Sequence, residues 1–271
     1  MNPSNDRPLE LRALALHWLC ESDPETKAAG VRALQAAWLL GSVVLESDGM
    51  LSPLQAIPGR PDRPELVPPL AVKHRSMQTT EGRAAMIHAL AHIEFNAINL
   101  ALDAVWRFPG MPADYYADWL KVAAEEALHF SLLEAHLRSL GFAYGNFPAH
   151  NSLWDMAEKT RGDVLARIAL VPRTMEARGL DASPAVRAKL AQAGDHAAAA
   201  ILDIILRDEI GHVATGNRWF AWLCWERRLD PIATYAGLAL LHKAPQPRRP
   251  FNLEARRAAG FTDAELAELL A

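Results

Sequence analysis

Cysteine is almost missing from this sequence: Cys20 and Cys224 are too few and too far apart for a disulfide framework or a cysteine zinc site. An excess of basic charge is missing too. Its 28 Lys+Arg face 32 Asp+Glu, a formal net charge of −4, so the chain as a whole is not drawn to nucleic acid or anionic lipid. No run of about 18 apolar residues is free of charge or histidine, which argues against a membrane span. The opening MNPSNDRPLE lacks a basic-then-apolar signal pattern, so a soluble, cytoplasmic protein is expected. Alternating Val/Ile/Thr runs are also missing, as are P-loop, Rossmann and Ser/His/Asp signatures.

Ala and Leu dominate instead, at helical spacing over several long segments. With 271 residues, 51% of them hydrophobic, the chain can bury a full core, and the expectation is all-α. A first helix is predicted over 8–20. Asp23-Pro24-Glu25 reads as an N-cap, a proline at the first helical position and an acidic first turn, opening a helix to about Glu46. Six prolines between Pro53 and Pro69 make 48–80 a long irregular crossing. Four long helices follow, over 80–108, 113–140, 152–178 and 195–228. They are separated by Pro109-Gly110-Met111-Pro112, by a loop from Ala143 to His150, and by Gly179-Leu180-Asp181 with a short helix over 184–193. An apolar segment at 232–242 and a last helix opened by a Thr262–Glu265 capping box complete the chain.

The informative residues are acids on apolar helix faces. The neighbours of Glu94 at i±3, i±4 and i±7 are Ile87, Leu90, Ala91, Ala97, Ile98 and Ala101. Glu126 and Glu209 have apolar or small neighbours except for one histidine each, His129 and His212, both at i+3. A buried carboxylate without a counter-charge costs several kcal/mol or is forced neutral. No Lys or Arg lies on these faces, and divalent metal ions are the counter-charge that this pattern calls for. Glu94 lies 16 residues before Gly110 and Glu126 lies 16 after it, so a hairpin closed there brings the two carboxylates to one height. A fourth acid must come from the third long helix. Glu176 is the best candidate because Pro172 can bend the helix and turn it inward, with Asp155, Glu158 and Asp163 as alternatives.

Glu94, Glu126-Ala-Leu-His129, Glu176 and Asp208-Glu209-Ile-Gly-His212 resemble the ligand set of the ferritin-like di-iron carboxylate superfamily: a Glu from each of two helices and Glu-x-x-His from two others. HALAHIEFNAI, YGNFPAH, LVPRTMEARGLD and RDEIGHVATG resemble, more narrowly, an uncharacterised bacterial family of ferritin-like proteins over about 58–260, distantly similar to a di-iron tRNA hydroxylase. The resemblance implies a single ferritin-like domain over 1–271. Its parts are N-terminal helices (1–47), a proline-rich crossing (48–80), a four-helix metal-binding bundle (81–228) and a C-terminal helical extension (229–271). It implies that Glu94, Glu126, His129, Glu176, Glu209 and His212 hold two Fe ions, with Mn as the other metal suited to such a site. Asp208 takes the place of an acid that orients a ligand histidine, and Glu125 is a longer variant of it.

The functional expectation is an O2-activating di-iron oxidase or hydroxylase; the alternative is a metal-binding, ferroxidase or storage protein. An electron donor and a small-molecule or modified-nucleoside substrate are expected as partners, nucleic acid is not favoured, and a homodimer is allowed. His88 and His92 share a face with Asn96 and Asn99. That stripe reads more naturally as satisfied core polarity than as support for the ligands or as a channel lining. Trp219, Trp222 and Trp225 read as core or dimer contact rather than a substrate shelf. Lys243, Arg248, Arg249, Arg256 and Arg257 read as a solvated basic run rather than a phosphate or RNA site.

Overall fold

The structure, a computed structural model, describes residues 9–46, 48–73 and 75–270. The expected start of the first helix at residue 8 lies outside them. The fold is 68% helical, which confirms the all-α expectation. In chain order the helices are α1 (Leu11–Cys20), α2 (Pro24–Leu39), α3 (Thr80–Arg107), α4 (Ala113–Ser139), α5 (Ser152–Lys159), α6 (Val164–Leu170), α7 (Ala177–Gln192), α8 (His196–Glu226), α9 (Pro231–Leu241), α10 (Leu253–Ala258) and α11 (Asp263–Leu270). A π-helical segment, Val171–Glu176, joins α6 to α7. The described strands are two short pieces, β1 (Leu9–Glu10) and β2 (Val43–Val44), paired in parallel. By length and composition α3 could cross a membrane, but 72% of its most apolar stretch is buried inside the protein, as in a core helix.

The chain divides into two compact units. The first comprises Met1–Asp62 with Glu94–Ser131. Here Asp23 caps α2 by accepting the Thr26 N–H at 2.8 Å, as the sequence predicts. The helix ends at Leu39, however, not near Glu46. Gly41 turns left-handed (φ +69°), and the chain straightens to pair β2 with β1. Arg12, buried on α1, donates to the carbonyls of Trp106 (2.8 Å) and Gly49 (2.6 Å), tying the N-terminal helices to the end of α3. The α3–α4 hairpin closes as expected: Tyr116 Oη donates to Phe108 O at 2.8 Å and accepts from Met111 N at 3.1 Å, and Gly110 supplies the left-handed turn.

The second unit comprises Arg63–Ile93 with Leu132–Ala271. The crossing does not run free here. Val67 N donates to Ala149 O and Ala149 N to Glu65 O, at 2.8 and 3.0 Å, so the proline-rich segment is stitched to the loop before α5. The third long helix is not continuous. It breaks over 160–163, where Asp163 caps α6 and the buried Arg167 bonds Ala157 O at 2.7 Å and Thr160 Oγ1 at 3.0 Å. It also does not stop before Gly179: α7 runs through Gly179 and Pro184 into the segment expected as a separate short helix. A proline at 184 cannot donate to Leu180 O, and Asn252 Nδ2 does so instead at 3.2 Å. Tertiary contact therefore supplies what the helix lacks. Ala177, Leu180 and Val213 form a buried cluster with Ala255 and Ala259. Arg256, expected on a solvated run, is buried and paired with Asp181 at 2.6 Å. Of the tryptophan stripe, Trp219 is buried against Trp222, while Trp225 is 73% exposed.

Candidate metal centre

In the first unit the hairpin brings together Glu94 of α3 with Glu126 and His129 of α4, all three buried. His129 Nδ1 donates to Glu126 Oε2 at 3.3 Å and lies 3.4 Å from Glu94 Oε2. Each residue offers a ligand atom within 4.8 Å of the others, so the cluster could hold a metal ion. The equal spacing of both acids from Gly110 places them at one height, and the i, i+3 spacing puts the imidazole on the same face. Phe95 and Phe130, each next in sequence to a residue of the cluster, are buried with ring centroids 5.6 Å apart.

The electrostatics show what this arrangement demands. Burial pushes the Glu94 carboxyl well above the usual carboxylate range, and the charge of Glu126 adds to it. Burial alone would lower the His129 imidazole, but the two glutamates outweigh it and lift it to about 11. The two carboxylates thus favour positive charge at the imidazole between them. A carboxylate pair with an imidazole in a dry setting is also the donor set that iron and manganese accept. Among the described residues no buried lysine competes. Lys27, the buried ammonium of this unit, is bonded to Leu19 O, Gly59 O and Asn99 Oδ1. That lysine was missed in the sequence, although Val31 and Leu34 at i+4 and i+7 mark its face as an inner one.

In the second unit α8 carries the other Glu-x-x-His. Glu209 and His212 are both buried, with His212 Nδ1 3.9 Å from Glu209 Oε1. Glu176 is the last residue of the π segment and is half-buried. Around Pro172 the chain leaves α geometry for a π-helical segment, a local geometry frequent at functional sites. Gly216 of α8 lets the Pro172 ring approach: a Cβ there would lie 2.7 Å from Pro172 Cβ. The alternatives to Glu176 face other partners. Asp155 bonds Asn151, Glu158 lies 3.6 Å from Arg161, and Asp163 pairs with Arg227 at 3.1 Å. Glu176 and His212 are not among the described residues that cluster closely enough to share an ion.

Four further residues can be placed. Asp208 is gripped by its neighbour Arg207 at 2.8 Å, and Glu125 lies 3.7 Å from Lys121 on a partly exposed face. His88 Nε2 accepts the Gly145 N–H at 2.9 Å, and His92 contacts Tyr144 Oη at 2.8 Å and His150 O at 3.0 Å. Both rings thus bond to the loop before α5, while the buried Nδ1 of His88 has no partner among the described residues. Burial, reinforced by His92, lowers His88 to about 4.

Comparison with known proteins gives a family without a function. A protein of Haemophilus influenzae described as uncharacterised is 48% identical over 231 residues, covering 83% of this chain and 80% of its own. No solved structure matches the chain. Residues 20–267 match the family described as protein of unknown function (DUF455), and the chain belongs to that family.

Proposed function

We propose that the protein is a metal-dependent oxidoreductase, an O2-activating di-iron oxidase or hydroxylase on a ferritin-like four-helix bundle. The observation that carries this reading is the buried Glu94–Glu126–His129 cluster, where two carboxylates away from water meet at one imidazole. The proposed ligands are Glu94, Glu126, His129, Glu176, Glu209 and His212. Support for adding Glu209 is that it is the buried acid of the second Glu-x-x-His motif, on α8. Two Fe ions bound there supply electrons for the reduction of O2; manganese is the alternative metal.

The chain's own residues prepare the site. For His129 to act as a ligand its imidazole must be neutral, so binding of a divalent ion would be favoured as pH rises. The hairpin fixes Glu94 and Glu126 before any ion arrives, which lowers the ordering cost of binding. An organic substrate, small molecule or modified nucleoside, and an external electron donor complete the proposed reaction.

Anaerobic loading with Fe(II), removal of excess metal and elemental analysis test the reading. About two irons per chain are expected from this ligand pattern; metal near zero rejects it. Native mass separates the storage alternative, because a large closed shell favours storage and a monomer or dimer favours the enzyme.

A further inference from the structure

The second unit contains a cleft that the metal centre does not use. Its volume is about 470 Å³, within the range of small-molecule sites, about 300–1,000 Å³. One wall is α9, which presents Ile232, Ala236, Ala239 and Leu240 to the cleft. This helix is apolar throughout, yet none of its residues is fully buried, so its apolar face is left uncovered. The π segment adds Arg173 and Thr174 to the lining, and Thr174 Oγ1 lies 2.8 Å from Tyr235 Oη of α9.

Arg173 is the unusual group. It is only 5% exposed, and its guanidinium sits 4.1 Å from the Phe220 ring centroid and 5.3 Å from those of Tyr235 and Phe261. Its Nε donates to Asn217 Oδ1 at 2.6 Å and its Nη2 to Glu265, but its buried Nη1 has no acceptor. A buried donor left unsatisfied in a charged group is costly and calls for an acceptor. Arg178 and Lys243 add two more cations to the lining. Glu265 offsets Arg173, Asp181 offsets Arg256, and Glu268 offsets one of the remaining pair. One positive charge is left over.

We infer that this cleft binds a small organic carboxylate with an apolar body, its carboxylate directed to Arg173 Nη1 and the Arg178–Lys243 side, its apolar part against α9. A single surplus charge suits a monoanion better than a phosphate dianion, and the apolar wall suits a hydrocarbon or aromatic body rather than a sugar.

The test is calorimetric titration of the purified full-length protein with 4-phenylbutyrate, decanoate, 4-phenylbutanamide and inorganic phosphate. At least one of the two acids binds saturably. The amide, with the same body and no charge, binds about tenfold more weakly than its acid, the scale of a charge-assisted hydrogen bond. Phosphate neither binds nor competes. Ala239→Trp fills the cleft and removes acid binding, while its helical circular dichroism and melting stay as in the parent, since α9 contributes no fully buried side chain. Lys243→Gln weakens the acid several-fold and leaves the amide unchanged. The inference is overturned if neither acid binds, if acid and amide bind alike, if phosphate displaces the acid, or if folded Ala239→Trp binds as well as the parent.

Discussion

The two Glu-x-x-His motifs have the same spacing and different surroundings. On α4, Glu126 and His129 are fully enclosed, their nearest polar atoms are 3.3 Å apart, and a second acid, Glu94, reaches the same imidazole from α3. On α8, His212 stands 3.9 Å from Glu209, and the acid expected beside them, Glu176, is half-buried at the end of a π segment. Spacing by itself places two side chains on one helix face. Whether they become a charged cluster depends on what the neighbouring element carries. A tight hairpin with matched arm lengths delivers Glu94 directly. A helix that passes through a π segment leaves its acid, Glu176, half-buried at the segment's end.

The largest effect that can break this comparison is on metal-linked stability. With metal at a hundred times its dissociation constant, the parent gains about 3 kcal/mol in unfolding free energy over chelator-treated protein. Glu126→Ala should lose nearly all of that gain along with its metal. Its metal-free stability should change less, because removing one carboxylate also removes its repulsion of Glu94. Glu209→Ala should lose metal as well if both motifs serve one centre. Metal retained in Glu126→Ala rejects the better-formed half, and metal retained only in Glu209→Ala confines the site to the hairpin.

A smaller effect sharpens the α8 side alone. Gly216→Ala drives a methyl into the Pro172 ring, where neither helix backbone nor proline can yield easily. Chemical denaturation should show a loss of about 1–3 kcal/mol, the cost of overpacking. Metal content should fall while the hairpin cluster stays intact. An unaffected metal content separates the π segment from ion binding.

The smallest effect should leave both motifs alone. His88 has its folded pKa lowered to about 4, so the unfolded chain takes up that proton first as pH falls. Stability from this ring is fully present above about 6.5 and drains away toward pH 4. By pH 5.5 the loss is about 1 kcal/mol. The difference between parent and His88→Gln, measured by denaturation at pH 7.5 and 5.5, should show this slope, with metal content unchanged at neutral pH. An identical pH dependence in the two proteins removes His88 from that role.

Much of this was legible in the chain because it rests on local periodicity. The boundaries of α3, α4 and α8, the turn at Gly110 and the Thr262–Glu265 cap follow from side-chain spacing, proline and glycine chemistry and capping alone. So does the pairing of Glu94 with Glu126, which needs only arm length. The break at 160–163 is local, set by Asp163 and Arg167, but the other differences involve partners distant in sequence. The end of α2 was misplaced because β1 claims residues 43–44. The run of α7 through Gly179 and Pro184 depends on Asn252, about 70 residues later, bonding the freed Leu180 carbonyl. Arg256 looked like a surface residue until Asp181 met it.

Helical class, the acidic character of the inner faces and the hairpin that aligns two acids were determined by the amino-acid order, since each depends on bonds and contacts a few residues apart. The π bend ahead of Glu176, the enclosure of Lys27 and Arg173 and the cleft under α9 were decided only by tertiary packing. Burying an ammonium or a guanidinium depends on which distant carbonyls and rings surround it, and no short stretch of sequence carries that information.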